Sequence, residues 1–406
     1  MNAVPLRLLR AVAAAATHAS ASGAARALHQ STSSVTRGIQ AAESMLEVQL
    51  FERDTRGMVA TPEAAVLVER VLRAQQVLHA ASAGLRVRGA PASVDALPRL
   101  VTDGLLRALV ARAEHSSESA AAASLGLSQP ALHQALRKLE HLARLPLFER
   151  TRVGARLNES GQWLLLHAQQ ALAELRIGHE ELARRGQRQS GGQVVIGALP
   201  MAGDVLVPRA VTLALRAQPR LDITVKDGTY ESLRRMLRAA EVDFVVGPLR
   251  GSALPPDLRE ETLFVDRFVA VARSGHPLAT QRRRPSLRQM ARHPWVGPLP
   301  GTPAEAAFSR LFAEAGLRPP HLSLRGHSAP VVRSVLLSGD HVALLSPLQV
   351  HADVEAGLLV HLSEPIAGTE RPIGIAQRAQ ALPSSACEGV LTALRQVGLE
   401  AARYRR

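Results

Sequence analysis

Apolar positions in the first half of the chain recur at helical spacing. Leu105, Leu106, Leu109, Val110 and Ala113 fall on one face of a helix, and Ser119 to Leu125 reads as a second, short helix. Its small residues let a third helix cross it closely. Gly126 supplies a turn position that needs positive φ. Ser128 is a natural N-cap, and Pro130 falls in the first turn, where its missing N–H costs nothing. The third helix buries Leu132, Leu136 and Leu139 and leaves Gln129, His133, Gln134, Arg137 and Lys138 outward. Leu147 to Leu157 then reads as a short apolar-and-basic hairpin, a wing.

This pattern occurs twice. Shifted by 97 residues, the chain lies on itself without a gap: Ala24-Ala25 on Ala121-Ala122, Leu28 on Leu125, Ser31 on Ser128, Glu43 on Glu140 and Leu50 to Arg53 on Leu147 to Arg150. An ungapped match of this length points to duplication. The first copy has diverged: Gln-Pro has become Thr32-Ser33, the turn glycine is His29, and Thr36 and Arg37 face outward with Arg53 and Arg56 on the wing. It reads either as a second working module or as a decayed copy kept for packing.

A long helix follows each copy. Ala64, Leu67, Val71, Ala74, Leu78, Ala81 and Leu85 alternate spacings of 3 and 4, and Gly161, Leu164, Ala168, Ala171, Leu175, Gly178 and Leu182 repeat them in the same register. That is an a/d seam whose small residues permit close helix approach. The two seams could pair with each other inside one chain, or each with its counterpart in another chain. Gly89 to Ser93 reads as a hinge between the copies and Gly186 to Gly192 as a hinge to the remainder.

From Gln193 onward strands alternate with helices. Val194–Ala198, Leu221–Val225 and Phe244–Gly247 read as strands around helices near 205–216 and 232–240, which is doubly wound α/β patterning. A second lobe is expected over about 273–365, with the first lobe formed by about 193–272 and 366–406.

The run Ala121 to Leu132, with Leu139-Glu140 and Pro146 to Arg150, resembles the winged helix-turn-helix of LysR-type transcriptional regulators. His133 stands where a small hydroxyl residue is usual in that motif, and Arg144 and Glu47 replace the usual glycine before the wing. Val194 to Gly197, Asp243 to Gly247 and Gly275 to Ala279 sit where the same family carries them. Trp295 to Pro298, Pro300 to Pro303 and Arg371 to Ile375 resemble its galactose-binding-protein regulator branch. The resemblance implies three things about architecture. Winged helix-turn-helix modules would span 1–60 and 99–158, linker helices 61–88 and 159–188, and a two-lobed α/β effector domain, similar to periplasmic binding proteins, 193–406.

It also implies residue roles. Gln129, Pro130, His133 and Gln134 would meet base edges in the major groove of double-stranded DNA, while Ser128, Arg137, Arg150 and Arg152 hold phosphates. In the first copy Thr32, Thr36, Arg37 and Arg53 take these places. A small-molecule effector (a sugar, a sugar acid or an aromatic acid) would bind between the lobes at the carboxyl ends of strands. Leu199-Pro200-Met201, Pro248-Leu249, Pro300-Gly301-Thr302, His327-Ser328 and Ser346 would line that cleft. A homo-oligomer is expected, with no cofactor.

Composition changes this picture little. The net charge of +14 suits a polyanionic partner, although Arg- and Ala-rich usage also follows from a GC-rich genome. Cys387, the single cysteine, excludes an intrachain disulfide and a cysteine zinc site and fits a reducing cytoplasm. No uncharged apolar run approaches the roughly 18 residues of a membrane helix. Arg7, Arg10 and Ala11 to Ala16 mimic a secretory signal, but the same stretch recurs inside the chain, where no signal could work. The rival class, a solute-binding protein or an enzyme on the same α/β fold, finds no G-x-S-x-G, H-E-x-x-H or P-loop to support it.

Overall fold

The computed structural model describes residues 4–54, 57–152, 154–186 and 191–403. Arg56 and most of the expected hinge at 186–192 lie outside them, as does the side chain of Arg53. Two compact units divide the chain, the first essentially residues 1–192 and the second 193–406, apart from 238–241.

The first unit runs α1 (Leu6–His18), α2 (Ala21–Leu28), α3 (Thr32–Leu46), β1 (Phe51–Asp54), β2 (Gly57–Ala60) and α4 (Pro62–Val87). After a 3-10 turn (Ala92–Ala96) come α5 (Leu97–Leu100), α6 (Asp103–Glu114), α7 (Glu118–Ser124), α8 (Gln129–Ala143), β3 (Phe148–Thr151), β4 (Gly154–Leu157) and α9 (Glu159–Gly186). The same local chemistry builds both halves. Ser31 and Ser128 cap α3 and α8 by accepting from Ser34 N and Ala131 N. Glu43 and Glu140 then reach forward from those helices, their carboxylates accepting from Leu50 N and Leu147 N at 2.8 and 2.9 Å. Each carboxylate thereby fixes where its antiparallel hairpin begins.

α4 and α9 pack against each other and form the spine of the unit. Ala64, Leu67, Val71, Ala74, Leu78, Ala81 and Leu85 share one core with Leu164, Ala168, Ala171, Leu175 and Leu182, so both apolar seams are spent on each other. The helices run antiparallel: Trp163 near the start of α9 donates its Nε1 to Ala81 O near the end of α4 at 3.1 Å. At the other end Arg70, 2% exposed, donates to Glu174 and Glu181 at 3.1 and 3.0 Å. Burial works against the charge on Arg70, but Glu181 and Glu174 more than offset it and hold its pKa above the ordinary value.

The two halves also touch away from this seam: Leu6 and Asp103, equivalent under the 97-residue shift, meet, and the Asp103 carboxylate accepts from Leu6 N at 3.1 Å. Arg10 donates to the carbonyls of Pro98, Arg99 and Val101, and burial pushes its pKa down to about 10. The segment that follows the expected hinge at 89–93 is packed. Val94, Leu97 and Val101 are fully buried, because those apolar residues extend the shared core beyond the Gly89 turn.

The second unit begins with β5 (Gln193–Ala198), α10 (Pro200–Ala217), β6 (Asp222–Asp227), α11 (Tyr230–Arg238), β7 (Phe244–Pro248), β8 (Leu258–Asp266) and β9 (Val269–Arg273). There follow α12 (Leu287–Met290), β10 (Trp295–Gly297), α13 (Pro303–Glu314), β11 (Leu322–Arg325), α14 (Ala329–Ser338), β12 (Val342–Leu345), α15 (Pro347–Glu355), β13 (Leu359–His361), β14 (Arg371–Arg378) and α16 (Ser385–Arg403). Two sheets result, ordered β6-β5-β7-β14-β8 and β11-β10-β12-β9-β13. In each, the parallel strands carry the crossover helices and antiparallel strands close one side. The first crossing between sheets falls between β8 and β9, a strand earlier than the boundary at 273, because Val269 to Leu345 pairing places β9 in the second sheet.

Five described non-glycine residues hold a left-handed backbone, among them His29, at the α2–α3 turn where the other half has Gly126, and Glu47 and Arg144 at the ends of α3 and α8, with φ of 54°, 54° and 56°. Such a conformation costs an L-residue about 1–2 kcal/mol. Glu47→Gly and Arg144→Gly should therefore each raise stability, by about 1 kcal/mol once the glycine's extra unfolded-state entropy is deducted. Chemical denaturation of the full chain measures this; an unchanged or lower midpoint in both variants would show that these cap residues are unstrained.

Candidate functional site

Two surfaces carry the candidate residues. On the first unit, α8 projects Gln129, Pro130, His133, Gln134 and Arg137 into solvent, with Ser128 at its cap and Arg150 and Arg152 exposed on the following hairpin. Leu132, Leu136 and Leu139 hold the opposite face down, which fixes the orientation of this row. His133 Nδ1 lies 3.4 Å from Glu118 of α7, and Arg137 lies 3.6 Å from Glu140. Both are exposed pairs worth under about 1 kcal/mol, so another anion could displace either.

The corresponding face of α3 is chemically different. Thr32 and Arg37 are exposed and Thr36 half-buried. Thr36 Oγ1 donates to Thr32 O at 3.0 Å, and Arg37 Nε to Ser33 O at 3.4 Å. Where α8 offers amides, an imidazole and a guanidinium, α3 offers short hydroxyls and one arginine folded along its own helix. Arg53, the remaining expected contact, has its side chain outside the described residues.

On the second unit, a cleft of about 600 Å³ opens at the carboxyl ends of β5, β6, β7, β10 and β11. Its size is that of a small-molecule site. Pro200, Met201, Pro248, Thr302 and His327 line it. Gly301, Ser328 and Ser346 do not. Thr302 both caps α13, accepting from Glu305 N, and donates to Leu299 O, so its hydroxyl hydrogen is already engaged. Ser328 precedes α14 without capping it. Ser346 is fully buried and donates to Asp266 at 3.0 Å. Asp266 in turn accepts twice from Arg371, at 3.0 and 2.7 Å, and Arg371 lies over the Phe268 ring in the cleft wall. Ser346 thus acts one layer back, fixing the carboxylate that fixes Arg371.

Charged lining residues were missed by sequence reasoning: Asp204, Arg250, Arg333, Asp353 and Arg371. Arg333 and Asp353 pair with each other. Arg250 stacks 4.1 Å above Tyr230, and its buried Nε has no hydrogen-bond partner. Asp204 on α10 accepts from Gln349 on α15 at 3.3 Å, a polar contact from one lobe to the other. Arg250 and Arg371 lie at strand ends, the only local signal, whereas Asp204, Arg333 and Asp353 lie inside α10, α14 and α15, where nothing local marks them. Among the described residues no group of three or more His, Cys, Asp or Glu side chains could hold a metal ion, and no helix is long and apolar enough to cross a membrane.

Asp204 sits in the cleft at a cost. Burial raises its pKa, against the opposing hydrogen bond from Gln349, and Asp227 adds to the rise. A carboxyl whose folded pKa is raised holds its proton more tightly when folded, so stability falls as pH climbs past the unfolded value. Asp204→Asn should then raise the melting temperature at neutral pH, with the gain vanishing below the unfolded carboxyl range. Calorimetry across pH checks this; a loss of stability at neutral pH would mean that the ionised carboxylate is a structural support.

A family model described as the LysR substrate binding domain matches residues 187–398. A second, the bacterial regulatory helix-turn-helix of the lysR family, matches residues 6–65 and 104–162. The transcriptional regulator GalR of Pseudomonas putida is 32% identical over 398 residues, covering 98% of each chain. The regulator GbpR of Rhizobium radiobacter is 30% identical over 263 residues, 64% of this chain and 85% of that one. Full-length OxyR from Pseudomonas aeruginosa has the same fold over 73% of this chain and 94% of its own, at 23% identity and a TM-score of 0.55. The chain belongs to the LysR family of transcriptional regulators, which join a helix-turn-helix DNA-binding segment to an effector-binding domain.

Proposed function

We propose that one chain is a complete two-reader unit that binds an asymmetric operator, and that an acidic small molecule in the cleft sets its regulatory state. The observation that carries the first part is the shared core of α4 and α9, which joins the helices following both reader segments inside a single chain. A duplicated winged helix-turn-helix accounts for the 97-residue register and for the two separate helix-turn-helix matches. The alignment with GalR, running through nearly the whole of both chains, fits the same arrangement in a relative.

In this reading α8 enters the major groove. Gln129, Pro130, His133 and Gln134 meet base edges, and Ser128, Arg137, Arg150 and Arg152 hold phosphates. Thr32, Thr36, Arg37 and Arg53 serve the second half-site. Because the two faces differ chemically, they select different sequences. The cleft combines apolar walls with Arg250 and Arg371, which suits a carboxylate bearing a ring or hydroxyls, such as a sugar acid or an aromatic acid, above a neutral sugar.

Site selection from random DNA with the full chain should enrich two unlike half-sites; a palindrome of identical halves would sink the asymmetric reading. Gln129→Ala and His133→Ala should relax preference in one half-site only, by about 1–3 kcal/mol per lost base contact. Arg150→Ala should weaken all sequences alike and reduce the salt slope by about 1. In the cleft, a bound effector should raise the melting temperature by mass action, about 2.7 kcal/mol at a hundredfold excess over Kd. Arg250→Gln should remove that shift for acids, and an undiminished shift would reject carboxylate recognition there.

A further inference from the structure

The seam between α4 and α9 is built from unlike ends, and this distinguishes it from a surface that merely happens to be apolar. At one end Arg70 of α4 reaches Glu174 and Glu181 of α9, with Arg73 also 3.5 Å from Glu174. Gly178 of α9 makes room there, since a Cβ on it would lie 3.0 Å from Arg70 Cβ. At the other end Trp163 of α9 fills the space left by Gly84 of α4, where a Cβ would come within 2.2 Å of the indole. Arg88 lies 4.3 Å above the Trp163 ring, and His167 packs beside it.

The 97-residue register states what each residue would meet if like helices paired in the same geometry. In an α4–α4 pair, the positions of Glu174 and Glu181 become Val77 and Gly84, so two buried Arg70 side chains would lose their carboxylates. In an α9–α9 pair, the position of Arg70 becomes His167, whose pKa burial lowers, and the position of Gly84 becomes Glu181. Trp163 would then abut a glutamate instead of a glycine. Leaving one member of a buried ion pair without its partner costs more than an intact pair contributes, so both like pairings are penalised. Polar groups within an apolar seam are a known means of fixing partner choice.

We infer that Arg70 with Glu174 and Glu181, and Trp163 with Gly84, form a two-ended lock that admits only α4 against α9 and rejects linker helices of its own kind. This rests on the proposed two-reader unit and adds which residues enforce it. The lock excludes the seam exchange that would otherwise mix first and second readers from different chains. It also bars dimerisation through like linker helices, so any further assembly must use other surfaces.

Disulfide trapping in the full chain tests both levels, in a Cys387→Ser background. Ala74 and Ala171 are buried seam positions equivalent under the shift. With Ala74→Cys and Ala171→Cys together, oxidation should join the two helices within one chain, giving a mobility shift at monomer mass. Trapping only between chains would overturn the two-reader unit itself. With Ala74→Cys alone, differently tagged chains should give only background α4–α4 cross-links. Adding Arg70→Leu and Trp163→Ala should raise those cross-links at least tenfold, whereas Arg70→Lys alone, which keeps the charge, should leave them at background. Equal cross-linking with and without the lock residues, combined with trapping inside the chain, would leave the two-reader unit standing and overturn the lock.

Discussion

Everything in the first unit depends on the burial of α4 against α9. Neither helix could remain as it is alone: each carries an unbroken apolar stripe that water would penalise. Packed together, the stripes also gather the flanking elements. Leu105, Leu106 and Leu109 of α6 and Leu9 and Val12 of α1 join the same core, so both segments that match the helix-turn-helix model are mounted on one spine. Truncating a central seam leucine such as Leu78 removes packing that no neighbour can replace, a loss of about 2–5 kcal/mol for such changes.

The exposed rows on α3 and α8 follow from that mounting. A helix that buries Leu132, Leu136 and Leu139 has no freedom over which side it shows, and Gln129, His133, Gln134 and Arg137 are what remain. The hairpin after each helix is placed by a glutamate, Glu43 or Glu140, that accepts from the first strand's backbone. Such contacts keep both halves alike in backbone while their outward residues differ. In the second unit the corresponding constraint is the Ser346–Asp266–Arg371 chain. It orders a buried guanidinium in the cleft wall by satisfying its carboxylate partner from behind.

Periodicity and punctuation alone established a good part of this. The helical spacing of Leu105 to Ala113, the Ser128 cap, the Gly126 turn and the two seams of alternating 3 and 4 spacing were legible because helix formation and capping act over a few residues. The alternation of strand and helix after Gln193 announced an α/β unit for the same reason. Tertiary structure decided what distance along the chain hides. The packing of α4 against α9 brought Arg70 to carboxylates 104 and 111 residues away along the chain, which no local pattern announces. The supposed hinge at 89–93 proved to be followed by a packed connector, because burial of Val94 and Leu97 needed a core that only the folded unit supplies. In the cleft, capping residues such as Thr302 could be read locally. Asp204, Arg250 and Arg371 could not, since a charged residue becomes a cleft residue only when strands from distant segments bring their ends together.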